Sequence, residues 1–335
     1  LCLGSYLALG FAESLGGLEA HEGSRAVVGY VEGVRDAGRF LSVAARVIAS
    51  KPVVLLKSGR TARGSEAALS HTGAVSGPYE RLHAGLRQAG VVELTRTDEL
   101  LHVGETLGRQ PAPPVGTGIA ILSDGGGQGT LAVDQLVEAG ARLAELSDGT
   151  RNRLRTLLGP AAAVSNPVDL AGAADADPEA FGRAMDVLTS DPSVGVVLVI
   201  GLFGGYGVRF ADSLTGGEVR AAEAMANAAG AAGCGLVVHT MYAAHRTRPL
   251  EALGVRGVPV VGSLDVACRC VVELQRRGEW LARPAWEYEA PPRAVSPGTR
   301  EGAGAPGGGG RRSLSAPEAR TVLAAAGMDF GPWRV

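Results

Sequence analysis

The sequence lacks the cysteine pattern of a disulfide-stapled or metal-binding protein. Its cysteines are Cys2, Cys234, Cys268 and Cys270. Cys268 and Cys270 lie two residues apart in a helix-like stretch, so their thiols point in different directions and cannot share a metal ion. Scattered cysteines without metal-ligand spacing are typical of reduced thiols, which predicts a cytoplasmic protein.

Charge and hydropathy exclude further classes of protein. The formal net charge is -2 over 335 residues, so the composition indicates no basic surface for nucleic acid or for an anionic membrane. No apolar run approaches the roughly 20 residues that a membrane span needs. No serine lies in a G-x-S-x-G motif, and the histidines other than His71 have no partners at metal-ligand spacing. We therefore expect neither a hydrolase serine nor a bound metal.

Short β-branched runs alternate along the chain with longer stretches of helical period. The predicted strands are 25–31, 52–57, 91–95, 118–123, 193–203, 235–240 and 258–262. The predicted helices are 38–50, 78–89, 97–107, 129–139, 178–188, 217–232 and 264–277. This alternation predicts an α/β fold with parallel sheets covered on both faces. Ligands of such folds bind at the carboxyl ends of the strands, where the candidate residues are found.

Proline and glycine divide the chain into four predicted segments. The proline break at 110–114 separates a first α/β domain, residues 1–112, from a second, residues 113–281. Residues 282–313, with four glycines in succession, have the composition of a flexible linker. Residues 314–335 begin a short helical pattern with Ser315 as its cap. Because no initiator methionine is present and this last segment is so short, we expect both ends to continue in a larger protein.

The most informative candidate is His71, in Ser70-His71-Thr72-Gly73 between a predicted strand and a predicted helix. A neutral imidazole is a competent nucleophile toward a phosphoryl group. A glycine-rich turn that enters a helix supplies N–H donors for the charged product, so Ser70, Thr72 and Gly73 are predicted phosphate ligands. Glu32, at the end of strand 25–31, is predicted to hold one imidazole N–H. Alternatively, His71 is an exposed loop histidine and Glu32 a solvated or helix-capping acid.

A second glycine-rich segment lies between strand 118–123 and a helix. Gly125, Gly126, Gly127, Gln128 and Gly129 are predicted to cradle a phosphate at the start of that helix. The same loop also fits G-x-G-x-x-[GA], so a dinucleotide-binding oxidoreductase is a weaker alternative. Further residues at strand ends are candidates to line a cleft, although each is equally compatible with a simple turn: Lys57, Ser58, Asn166, Asp169, Gly204 and Gly205.

On these residues the chain resembles the NDP-forming acyl-CoA synthetases, the superfamily of succinyl-CoA synthetase and ADP-forming acetyl-CoA synthetase. Residues 51–60, followed by Ser70-His71-Thr72-Gly73-Ala74, are similar to the phosphohistidine segment of that family. Glu32 falls where the family has the glutamate that orients this histidine. Residues 125–129 look like the helix start that cradles the phosphohistidine from the second ligase domain. Residues 166–170 and 203–205 match other landmarks of that domain, and residues 314–327 resemble the first helix of an ATP-grasp domain.

The resemblance implies two flavodoxin-like, succinyl-CoA ligase-like domains in tandem. It also implies an acetate or acyl–CoA ligase (ADP-forming), which interconverts acyl-CoA, phosphate and ADP with carboxylic acid, CoA and ATP. The reaction passes through an acyl phosphate, and His71 is the implied phosphoryl carrier. Coenzyme A and ATP or ADP with magnesium are the implied substrates. CoA-binding and ATP-grasp domains, in cis or as separate subunits, are the implied partners, and an oligomer is expected.

The chain also departs from the family pattern. Because residues 1–5 resemble the start of the second family domain, we expect this sequence to begin after the family's N-terminal CoA-binding domain and to include only the first helix of the ATP-grasp domain. We therefore expect the chain alone to bind CoA and nucleotide poorly. The alternative function is a non-catalytic acyl-CoA-sensing module, related to protein acetyltransferases in which the histidine is replaced. The presence of His71 and Glu32 favours the ligase.

Overall fold

The computed structural model describes residues 10–34, 36–72 and 79–284, with residues 69–72 described by their backbone alone. Gly73, residues 285–313 of the predicted linker and the segment 314–335 lie outside the described residues. Residues 1–286 cluster as one compact unit. The segment boundaries predicted from the sequence therefore remain predictions.

The described residues form eight strands and thirteen α-helices, in an order that alternates as the sequence predicts. The strands are β1 Val27–Val31, β2 Val53–Lys57, β3 Val92–Leu94, β4 Gly118–Ser123, β5 Val168–Asp169, β6 Val194–Ile200, β7 Gly235–His239 and β8 Val260–Val261. The helices are α1 Phe11–Glu19, α2 Ala37–Ser50, α3 Ala62–Thr72, α4 Tyr79–Ala89, α5 Glu99–Arg109, α6 Gly126–Glu138, α7 Asp148–Leu158, α8 Ala173–Ala176, α9 Ala180–Thr189, α10 Tyr206–Arg209, α11 Thr215–Ala232, α12 Arg248–Val255 and α13 Leu264–Leu281. Short 3-10 turns occupy Asp212–Leu214 and Ala243–His245.

The first sheet has three parallel strands in the order β1-β2-β3. All five residues of β2 are buried, as expected for a central strand covered on both faces. Helix α2 covers one face with a stripe of buried residues that includes Phe40 and Ile48. Its N-terminus is fixed by Asp36, whose carboxylate accepts a hydrogen bond from the Arg39 amide at 2.9 Å.

The second sheet has five parallel strands in the order β5-β4-β6-β7-β8. Counted from β4, this is the 2-1-3-4-5 order of flavodoxin-like domains. The strand that follows β4 in sequence, β5, lies on one side of β4, and the next strand, β6, lies on its other side. The topological switch point therefore lies between the carboxyl ends of β4 and β6. Ligands of doubly wound sheets bind at that point. The predicted α/β fold class with parallel flavodoxin-like sheets is confirmed.

One continuous apolar core joins the two sheets. It combines Val54 and Leu56 of the first sheet with Ile121 of the second, together with side chains of α5 and α13 such as Val103 and Val271. A separate core on the other face of the second sheet is built with α9 and α11. The shared core explains why residues 1–286 form one compact unit although they contain two sheets.

None of the helices in the described ranges is both long enough and apolar enough to cross a lipid bilayer.

Candidate functional site

The carboxyl ends of β1 and β2 carry a polar group formed by Tyr30, Glu32, Lys57 and Ser58. The Tyr30 hydroxyl lies 3.2 Å from Glu32 Oε1 and 3.0 Å from Ser58 Oγ. The buried Lys57 ammonium donates to the backbone carbonyl of Glu32 at 2.8 Å, and it also contacts the carbonyl of Ser58. Three of the sequence candidates, Glu32, Lys57 and Ser58, are thus brought together and held at one sheet edge.

Burial lowers the pKa of Lys57, while the nearby carboxylates of Glu93 and Glu32 act in the opposite direction. Glu93 pairs in register with Leu55, two residues before Lys57, so both charged side chains lie on the same face of the sheet. Lys57 therefore supplies positive charge next to Glu32 and does not extend into solvent.

Glu93 belongs to a polar group that sequence reasoning missed. Its carboxylate is 5% exposed and contacts Nδ1 of His83 on α4. Burial and the neighbouring Glu93 raise the pKa of Tyr79, at the start of the same helix. Arg269 of α13 donates to the Glu93 carbonyl at 3.2 Å and so satisfies the free edge of β3. In the sequence, Glu93 is the only charged residue in the predicted strand 91–95, and this feature could have indicated the polar group.

His71 lies in the last turn of α3, with Ser70 and Thr72 beside it along the backbone. Their side chains, and all of Gly73, lie outside what the structure describes. The sequence pattern predicts a loop that enters a helix at this position, whereas the structure has α3 here. This helix forms because residues 62–69 include good helix formers, among them three alanines, Glu66 and Leu69. The carboxyl end of a helix carries the negative end of its dipole, so α3 itself cannot supply the N–H cradle that was predicted for residues 70–73.

The second glycine loop leads from β4 directly into α6, at the switch point of the second sheet. Gly125 is the extended N-cap residue and Gly126 begins the helix, three residues earlier than predicted. Ser123 Oγ accepts the Gly125 amide at 3.1 Å and donates to the Gly125 carbonyl at 2.8 Å. A Cβ on Gly125 or Gly127 would meet no heavy atom within 4 Å. The start of α6 is therefore open, and its first N–H groups present the positive end of the helix dipole.

Two other candidates lie at this helix start. A Cβ on Gly126 would lie 3.2 Å from Asp169 Oδ2, so the carboxylate of Asp169 is adjacent to the loop. The Gln128 amide nitrogen lies 3.6 Å from the Met241 sulfur, and its Oε1 is buried with no hydrogen-bond partner among the described residues. The Gln128 side chain is thus turned toward Met241 and its oxygen is inaccessible, while the carboxylate of Asp169 opposes the approach of an anion.

Asp124, which was not among the residues predicted from the sequence, links the two strand ends at the switch point. Its Oδ2 accepts the Leu202 amide at 2.9 Å and the Tyr206 hydroxyl at 2.6 Å. Burial raises the pKa of Asp124, although its hydrogen bonds to Tyr206 and Leu202 act in the opposite direction. These bonds tie the ends of β4 and β6 together beneath the glycine loop.

The side chain of Asn166, another cleft candidate, is hydrogen-bonded to backbone groups of the second sheet. Its Oδ1 accepts the Ile121 amide at 2.9 Å, and its Nδ2 donates to the carbonyls of Ile119 at 2.8 Å and Ala144 at 3.0 Å. The side chain thereby satisfies the backbone of β4, a use that a turn motif in the sequence does not reveal.

Gly204 and Gly205, two further cleft candidates, are buried and tightly packed. Gly204 has a φ of +85° and donates its amide to Glu218 Oε1 at 2.7 Å. A Cβ on Gly205 would lie 2.1 Å from Cδ2 of Tyr242, so only glycine fits. Glu218, 1% exposed, also accepts the amides of Tyr206 at 3.0 Å and Gly207 at 3.0 Å.

Residues 1–107 match the family described as the succinyl-CoA ligase-like flavodoxin domain. The match covers the first sheet with Glu32, Lys57 and His71, and it confirms the family resemblance stated from the sequence.

Curated relatives are ADP-forming ligases. The alpha subunit of acetate–CoA ligase (ADP-forming) II from Pyrococcus furiosus is 36% identical over 200 residues, which are 60% of this chain and 43% of that subunit. Acetate–CoA ligase (ADP-forming) I from Archaeoglobus fulgidus is 35% identical over 198 residues, which are 59% of this chain and 28% of that protein. The chain thus spans less than half the length of these curated relatives.

Solved structures extend the likeness beyond the first domain. A crystal structure from Pyrococcus horikoshii OT3 has a TM-score of 0.66 and 26% identity, covering 82% of this chain and 57% of that chain. Acetyl-coenzyme A synthetase 1 of Ca. Korarchaeum cryptofilum, solved with phosphate and ADP, has a TM-score of 0.69 and 20% identity over the same shares of the two chains. The latter shows that the fold is shared.

Proposed function

We propose that the chain is the core of an NDP-forming acid–CoA ligase in which His71 carries the phosphoryl group. The observation that carries this proposal is the position of Glu32, held at the edge of a succinyl-CoA ligase-like flavodoxin domain by Tyr30 and Lys57. The names of the curated relatives support the same reaction class. They give no comparable support to the acyl-CoA-sensing alternative.

The proposed reaction begins at the acyl carbon, where phosphate displaces CoA from acyl-CoA to give an acyl phosphate and the free thiol, and it continues with two displacements at phosphorus. A neutral His71 nitrogen attacks the phosphorus of an acyl phosphate, the bond from phosphorus to the acyl oxygen breaks, and the carboxylic acid leaves as its carboxylate. The phosphohistidine then passes its phosphoryl group to ADP, with magnesium on the nucleotide. The opposite direction forms acyl-CoA from acid, CoA and ATP.

The chain's own residues would act by positioning and electrostatics. Glu32 would accept one imidazole N–H, which fixes the tautomer and leaves the other nitrogen free to react. Lys57 would hold the Glu32 backbone in place. The loop from Gly125 to Gly129, at the start of α6, would supply the N–H groups of its middle residues 126–128 to the phosphoryl oxygens, since the amides at its two ends already have acceptors. Ser70, Thr72 and Gly73 are proposed to contribute to the same phosphate site.

The remaining substrates and partners are also part of the proposal. Carboxylic acid, coenzyme A, phosphate and ADP or ATP would be handled together with CoA-binding and ATP-grasp domains, in cis or as separate subunits of an oligomer. Three cysteines among the described residues are free thiols, which supports a reducing, cytoplasmic location.

The test is phosphorylation of the complete protein with radiolabelled ATP and magnesium. We expect an acid-labile, alkali-stable phosphate that is lost in His71→Ala and strongly reduced in Glu32→Gln. His21→Ala, at an exposed histidine, serves as the matched control and should keep the label. If His71→Ala retains both the label and CoA-ligase activity, the proposed mechanism is wrong. If the wild-type protein incorporates no radiolabelled phosphate while it still binds acyl-CoA, the acyl-CoA-sensing module is the better interpretation.

A further inference from the structure

A cleft of about 550 Å³ lies between α4 and α13, along the free edge of the first sheet. It opens at the amino ends of β2 and β3, where Pro52, Gly90 and Val91 form part of its wall. The candidate phosphoryl-transfer residues follow the opposite, carboxyl ends of the strands. The cleft has the volume of a site for a small ligand, and the function proposed above does not use it.

The lining of this cleft is rich in arginine. Five arginines line it against three glutamates, and two of these arginines already have partners. Arg269 and Arg276 both bind Glu273, at 3.0 and 2.7 Å. The other three lining arginines, Arg87, Arg277 and Arg283, have no carboxylate within ion-pair distance in the part of the chain that the structure describes.

Arg277 is the most informative of the three. Its guanidinium is half-buried and lies 5.6 Å from the centroid of the Trp280 ring. Burial lowers the pKa of Arg277 to about 10, so the group remains charged at neutral pH. A charge that is partly removed from water without a counter-ion costs free energy, and an anion in the cleft would offset that cost.

Trp280 is fixed in the same wall. Gly90 has a φ of +81°, and a Cβ placed on it would lie 2.3 Å from the indole Nε1. The indole therefore packs closely against the Gly90 backbone and offers Arg277 an aromatic surface for a cation–π contact. This packing presents the Arg277 guanidinium to the cleft in a restricted orientation, which suits planar, bidentate recognition of a phosphate.

We propose that this cleft binds a small phosphate-bearing anion between Arg87 on α4 and Arg277 on α13, with Arg283 just beyond the end of α13. Arg87 and Arg277 stand on two different helices, so one ligand with two phosphoryl groups can contact both walls. The chemical class is therefore a diphosphate, either free or as part of a nucleotide. This inference rests on the cleft itself and not on the proposed function.

The experiment follows the fluorescence of Trp280 in the intact chain while pyrophosphate is added at constant ionic strength. Trp280→Phe identifies the part of the signal that comes from the cleft. We expect a saturable change in the wild-type protein and a Kd that rises roughly 10- to 100-fold in Arg277→Gln. Arg277→Lys should recover only part of the affinity, because an ammonium cannot bind in bidentate fashion. Arg151→Gln, on the surface of α7, is the charge-matched control and should bind as the wild type does.

Several outcomes would overturn the proposal. One is an equal fluorescence change with potassium chloride alone, and another is no saturable binding. A third is an unchanged Kd in both Arg277→Gln and the exposed Arg87→Gln, a second variant that disturbs no core contact. His71→Ala separates this site from the proposed function: it should keep pyrophosphate binding at Trp280 while it loses the acid-labile phosphate.

Discussion

Replacement of Glu218 tests whether a buried carboxylate holds the loop that follows β6. Glu218 accepts three backbone N–H groups, from Gly204, Tyr206 and Gly207, at 2.7 to 3.0 Å. Glu218→Ala would leave two fully buried donors and one partly buried donor without an acceptor. A buried, unsatisfied donor costs about 1–3 kcal/mol, so the two buried donors predict a loss of about 2–6 kcal/mol, to which the partly buried one adds less. That loss is a large share of the 5–15 kcal/mol by which domains are typically stable.

Glu218→Gln is the gentler variant for a local measurement. Its amide keeps one acceptor oxygen but turns an NH₂ group toward the remaining N–H donors. We expect a local cost of about 2–3 kcal/mol, which corresponds to roughly 30- to 150-fold faster amide exchange in peptides that cover residues 202–210. Hydrogen–deuterium exchange measured by mass spectrometry reads this directly.

The control for this prediction lies on the same helix. Glu223 is 42% exposed in its side chain and pairs with Arg256 at 2.9 Å. Surface pairs of this kind contribute about 0–1 kcal/mol, so Glu223→Ala should leave exchange in the 202–210 peptides unchanged. Equal exchange in Glu218→Gln and the wild type would refute the account of Glu218 as the acceptor that orders this loop.

Two further changes probe the fold. Burial raises the pKa of Asp191, but hydrogen bonds from Thr150, Ser147 and Ser193 outweigh it and hold the pKa well below its usual range. A lowered carboxyl pKa contributes stability that is lost as the pH falls below about 4. In urea unfolding at pH 7, Asp191→Asn should therefore be less stable than the wild type by about 2 kcal/mol, and this difference in stability should narrow below pH 4. A difference that grows on acidification would contradict this account. Gly116→Ala should lose about 1 kcal/mol because the residue has a positive φ, and Gly90→Ala should lose more, because its Cβ would also clash with the Trp280 indole. Gly90→Ala alone should also shift the tryptophan emission, since a Cβ at Gly116 meets nothing within 4 Å; equal spectra for the two variants would show that Gly90 does not fix Trp280.

The strands were predictable because their signal is local. Residues 118–123 are apolar throughout apart from Ser123, and β4 has the bounds that the sequence predicts. The two-residue β5 was missed because its pairing with β4 depends on tertiary contacts, with Asn166 fixed to the same strand beside it. Helix α3 was missed because its glycine and serine residues resemble a loop.

The sequence predicted the site residues that directly follow a strand, because the ends of parallel strands are where ligands bind. Glu32 and the Gly125–Gly129 loop stand at the carboxyl ends of β1 and β4, and the rule for parallel sheets identifies such positions without a structure. The groups that hold these positions come from distant parts of the chain. Asp124 binds Tyr206, which is 82 residues away, and no local pattern encodes that contact.

The placement of His71 at the end of α3 bears on the proposed phosphoryl transfer. At the carboxyl end of a helix the dipole favours a cation and disfavours an anion by about 0.3–1 kcal/mol. A phosphoryl group on His71 would therefore gain little from α3, whereas the open start of α6 offers it N–H donors and the opposite dipole end. Under the proposed function, the phosphohistidine gains its favourable helix dipole and main N–H donors when it lies against the glycine loop of the second sheet. Because α3 does not stabilise the phosphoryl group on His71, that group is more readily transferred to the next acceptor.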